Sequence, residues 1–116
     1  MARRAHQPLE DEEFDFILSM APGPVLAYFC GSWPKALEAC RAMDAVVGEL
    51  AEEYGTRFTA VRTDMTRCPG PTRRFAVTGA PTAVLIKGGE AVASHAGPMT
   101  REELREFLDT HLGELG

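Results

Sequence analysis

A short apolar run, Val25-Leu26-Ala27-Tyr28-Phe29, lies between the breaker Ala21-Pro22-Gly23-Pro24 and a long amphipathic segment that opens at Pro34. An apolar run of this length bounded by turn residues predicts a strand buried on both faces, which needs a covering layer on each side. Pro34 suits the first turn of a helix, where its missing N–H leaves no bond unmade. From there Leu37, Cys40, Met43, Val47, Leu50 and Tyr54 recur at helical spacing until Gly55 stops the pattern. Phe58, Ala60 and Val61 predict a second strand that closes at Asp64. Strand, long helix and strand form a parallel crossover, and such a unit commits the chain to an α/β sheet.

The remaining segments fit around that unit. A helix is expected from Asp11 to Met20, with its acidic residues at the positive N-terminal end. A short helix is expected over Arg73–Val77, after Pro69-Gly70-Pro71. Thr82–Lys87, the Gly88-Gly89 pair and Glu90–Ser94 predict an antiparallel hairpin. The chain closes with a helix marked by a Thr100-x-x-Glu103 capping box and a stripe of Leu104, Phe107, Leu108 and Leu112. The expected product is an α/β domain with a mixed sheet of four strands flanked by about four helices, spanning 9–113. Residues 1–8, polar and carrying Pro8, are a flexible segment or a weak fifth edge strand, and 114–116 a tail.

Length and charge narrow the function. With 116 residues the chain makes one domain, and a net charge of -5 disfavours nucleic acid as a partner, since a basic face is needed to displace phosphate counterions. No apolar run approaches a membrane span, so no membrane partner is expected. Arg3 and Arg4 are followed by Gln7, Glu10, Asp11 and Glu12 where a signal sequence would be apolar, so the expected location is cytoplasmic. His6, His95 and His111 are not spaced as zinc ligands, and no phosphate- or dinucleotide-binding glycine loop occurs, so no metal and no cofactor are expected.

Six local signatures, in order, resemble the thioredoxin family. Gly23–Phe29 resembles its central strand and Gly31-Ser32-Trp33 the approach to its active site. Glu49–Tyr54 resembles the end of its second helix, and Val77–Thr82 the segment with its cis-proline. Lys87-Gly88-Gly89-Glu90 resembles its last hairpin turn, and Ala96-Gly97 the glycine beside its substrate groove. The resemblance implies a thioredoxin fold. The chemistry of the family needs two cysteines separated by two residues at the start of the second helix, the first attacking as a thiolate and the second resolving the mixed disulfide. This chain contains no such pair. Counted forward from the strand, Pro34 and Leu37 take the two positions; counted backward from Glu49–Tyr54, Leu37 and Cys40 do. Tyr28 stands where the family strand carries a buried aspartate, and Ala45 where its second helix carries a proline.

Three thiols remain. Cys30 and Cys40 fall on apolar surfaces, where cysteine serves as a small buried hydrophobe, although the backward count also makes Cys40 a resolving-type position. Cys68 occupies the turn Arg67-Cys68-Pro69-Gly70, with Arg62, Arg73 and Arg74 near in sequence. An exposed basic setting would lower its pKa and raise its reactivity, and the implied fold places it near Cys30 as a non-standard redox pair. The resemblance further implies a groove of Trp33, Pro34, Val77, Ala80, Pro81 and Gly97, with Ala80 offering backbone groups to an extended peptide. The leading expectation is a non-catalytic adaptor or chaperone that holds a protein or peptide segment. The alternative is a thiol-disulfide oxidoreductase using isolated cysteines.

Overall fold

The computed structural model describes residues 5–115. Its elements are α1 (Asp11–Met20), β1 (Val25–Cys30), α2 (Pro34–Tyr54), β2 (Thr59–Asp64), α3 (Pro69–Arg74), β3 (Thr82–Lys87), β4 (Glu90–Ala96) and α4 (Arg101–Leu115), with a single 3-10 turn over Gly55–Arg57. The sheet order is β2-β1-β3-β4. β1 and β2 are parallel, as the crossover through α2 requires, whereas β3 runs antiparallel to both β1 and β4.

Every residue of β1 is buried, because helices cover both faces of the sheet. Leu26, Tyr28 and Cys30 face a core completed by α2 and α4. Val25, Ala27 and Phe29 face a second core, into which α1 inserts Phe14 and the segment after α3 inserts Val77. Phe14, Phe29 and Phe75 pack as a triangle of tilted rings about 6 Å apart. On the other face Tyr54 of α2 donates its hydroxyl to Asp109 of α4, and Arg101 and Arg105 of α4 pair with Glu53.

The capping box forms as its residues predict: Glu103 N–H donates to Thr100 Oγ1, and Thr100 N–H to Glu103 Oε1. Gly55 ends α2 at φ +60. Pairing shifts between Leu85 and Ile86, where Ala93 and Ala91 are the successive partners, so Val92 is the extra residue of a bulge in β4 and is left exposed.

The short helix lies earlier than expected, over Pro69–Arg74 rather than Arg73–Val77. Pro69 initiates it instead of blocking it, since the first helical residue needs no N–H. Its end is a left-handed cap, with Val77 N–H donating to the Thr72 carbonyl and Ala76 N–H to that of Arg73. Ala76 holds φ +55 there, where glycine is usual. α4 continues through Leu115, past the expected domain limit at 113. The expected fifth strand reduces to one bridge between His6 and Val61, with Pro8 unable to extend it; residues 1–4 and Gly116 lie outside the described residues.

Candidate functional site

Strand register gathers the site at one end of the sheet. Phe29 of β1 pairs with Thr82 of β3, and Thr82 with Ala96 of β4. The loop leaving β1, the loop entering β3 and the loop leaving β4 therefore meet. The first supplies Gly31, Ser32 and Trp33, the second Ala80 and Pro81, the third Gly97. The Ala80–Pro81 peptide is cis. Gly97, at φ +99, donates its N–H to the Pro81 carbonyl at 2.8 Å and ties the last two loops together.

Trp33 is the N-cap residue of α2, and its carbonyl accepts from the N–H groups of Ala36 and Leu37. Its ring folds back over Gly31, where any side chain would collide with the indole. Trp33 and Leu37 are 42% and 41% exposed, an unusual outlay of apolar area on one helix start, and Pro34 is exposed between them. Ala80 and Gly97 are half-buried. Two of the expected groove residues lie deeper. Pro81 is buried, and Val77 turns into the α1-side core because the Ala76 cap directs the chain inward. Leu37, read from the sequence as a former cysteine position and as the first residue of the apolar stripe, instead extends the exposed surface beside Trp33, and Ala36 takes the buried place.

All three cysteines are free and buried. Cys68 departs most from expectation. It is fully enclosed rather than exposed, its thiol donates to the Pro8 carbonyl at 3.7 Å, and its electrostatic neighbours include carboxylates of α1 rather than an arginine cluster alone. Burial, then the nearby Asp11, Asp64 and Glu13 carboxylates, push its pKa up to about 11, the reverse of an activated thiol. The expected Cys30–Cys68 pair is not assembled. Cys30 faces the α2 side of the sheet and lies against the Cys40 thiol, while Cys68 faces the chain segment that leads into α1. Burial first, and then the hydrogen bond with Cys40, drive the Cys30 pKa far above the ordinary thiol range.

A polar cluster lies directly below. Tyr28 and Arg62 are cross-strand partners, and Asp44 of α2 reaches over both. Arg62 Nε donates to Asp44 Oδ1 at 2.8 Å, and the buried Tyr28 side chain lies within reach of the Asp44 charge. These three residues, with Val47, Gly48 and Ala51, line a cavity of about 430 Å³. Desolvation, then the Asp44 charge, raise the Tyr28 pKa well beyond the ordinary tyrosine range, so its proton stays in place. Sequence reasoning missed both this cluster and the Cys30–Cys40 contact. The available signal was the position of Cys40 on the Ala36–Met43–Val47 stripe, which the crossover must lay against Tyr28 and Cys30.

The Thioredoxin family model matches residues 5–110. The chain belongs to the thioredoxin family. Among relatives, this thioredoxin-family chain is similar to Thioredoxin C-2 of Corynebacterium nephridii, at 30% identity over 88% of this chain and 92% of that protein. It is also similar to the thioredoxin of Allochromatium vinosum, at 29% identity over 87% of this chain and 92% of the relative. The chloroplastic Thioredoxin M4 of Arabidopsis thaliana is 27% identical over 91% of this chain and 53% of its own length. No helix among the described residues of this family member is long and apolar enough to cross a membrane.

Proposed function

We propose that this thioredoxin-family chain holds an extended segment of a partner protein and performs no dithiol exchange of its own. The observation that carries this reading is where the sulfur lies. All three thiols are at most 1% exposed, whereas Trp33, Pro34 and Leu37 are exposed at the start of α2, between and beside Ser32 and Lys35. A thiolate nucleophile needs a lowered pKa and access, and here burial gives the opposite for Cys30 and Cys68. Trp33 and Leu37 provide apolar anchors of the kind that dominate protein interfaces, and Ala80 brings main chain to the same end of the sheet for strand-like pairing.

The test has two arms. Selection of random peptides on the immobilised chain should enrich apolar extended sequences whose binding weakens at least about tenfold with Trp33→Ala or Leu37→Ala. Binding indifferent to both substitutions overturns the reading. In the second arm, reduction of a protein disulfide by dithiothreitol should run no faster with the chain than without it.

The names of the relatives and the Cys30–Cys40 contact favour one other reading, a thiol-disulfide oxidoreductase working through that buried pair. Acceleration of disulfide reduction that disappears in Cys40→Ser establishes it in place of the binder.

A further inference from the structure

Helix α1 is apolar on two sides. Phe14, Ile17, Leu18 and Ala21 recur at the spacing of one helical face and pack into the core. Phe16 and Met20 lie one turn apart on the opposite side and are 62% and 66% exposed. Leu9, just before the helix, is similarly exposed. Side chains this large and open, aligned on one helix, are an arrangement that a single scattered surface hydrophobe does not produce.

Charge determines what suits this face. Glu12 and Glu13 precede Phe16 by one turn, and Asp15 flanks it. Among the described residues Glu12 and Glu13 have no ion pair, whereas Asp15 is held by Arg74 at 2.9 Å and Asp11 accepts from the Gly70 N–H. α1 contains no lysine or arginine, so a second copy laid helix to helix brings carboxylates and no cation from its own α1. A basic partner satisfies both features: its apolar side chains cover Phe16 and Met20, and its lysines or arginines meet Glu12 and Glu13.

We propose that the outward face of α1, centred on Phe16 and Met20 and bordered by Glu12 and Glu13, is a docking site for a basic amphipathic helix of a partner protein. It is separate from the Trp33 surface, which stands at the end of β1 and the start of α2. One partner can thus be held by this face while the other surface engages a second segment.

The probe is a dye-labelled synthetic peptide of leucine and lysine patterned as an amphipathic helix, followed by fluorescence anisotropy with the full chain. Phe16→Ser with Met20→Ser should weaken binding at least about tenfold while leaving peptide capture at Trp33 unchanged. Glu12→Gln with Glu13→Gln should weaken it several-fold and flatten its decline between about 0.05 M and about 0.3 M salt. Unchanged affinity in the Phe16/Met20 double variant overturns the proposal. So does equal binding of a scrambled peptide with the same charge, which would mean attraction without a docking face. Sedimentation showing that the chain alone dimerises through Phe16 and Met20 overturns it in favour of a second copy.

Discussion

Cys68 shows how little the character of a turn says about the exposure of a residue within it. Its neighbours in sequence are arginine, proline and glycine, yet Pro8 and the start of α1 close over the thiol. The native chain should therefore react slowly at about pH 8 with an aromatic disulfide reagent, and all three cysteines should react once guanidinium unfolds it. The same burial gives a pH dependence. A thiol whose folded pKa is raised keeps its proton in the native state while the unfolded chain loses it. Stability is then fully present below about pH 9 and falls as pH rises through the folded value of about 11. The melting temperature should drop over that window, and Cys68→Ala should lessen the drop, the buried Cys30 thiol contributing the remainder; an equally steep decline in the variant would mean that Cys68 has no part in it.

At the scale of elements, the ends of helices hold the most accessible energy. Ala76 sits in a left-handed cap that costs an L-residue roughly 1–2 kcal/mol. Glycine recovers part of that at the expense of unfolded-state entropy, so Ala76→Gly should raise stability by about 0.5–1 kcal/mol in urea titration. Thr100→Ala removes the acceptor for Glu103 N–H and should cost about 1 kcal/mol by the same measurement. The boundaries of α1, α2 and β3 were legible from apolar periodicity and breakers because their own residues decide them. α3 was not, because Pro69-Gly70-Pro71 reads equally as a loop or as a helix start. What settles it is tertiary: Asp11 of α1 accepts from the Gly70 N–H in its first turn. The contact of Cys30 with Cys40 was hidden for a similar reason, since it needs a strand face and a helix face fixed at once.

In the whole molecule, β1 is the shared wall of two cores, one toward α2 and α4, the other toward α1 and α3. Loss of either core should release both together. Phe14→Ala, at a fully buried ring against Phe29 and Phe75, should cost about 3–5 kcal/mol. It should still unfold in one transition seen alike by near- and far-ultraviolet dichroism, whereas two separated transitions would show the cores to be independent. The general architecture was readable because the order of apolar segments admits few topologies. The surface at the end of β1 was readable only in part, because exposure depends on which side chains the loops turn inward, as Val77 shows. One consequence concerns light. Trp33 is the sole tryptophan in the chain, and its half-exposed indole rests over Gly31 at the edge where a peptide would lie. Any segment settling there changes the polarity around that ring and its access to quenchers, so the native emission spectrum is an internal gauge of occupancy that requires no label.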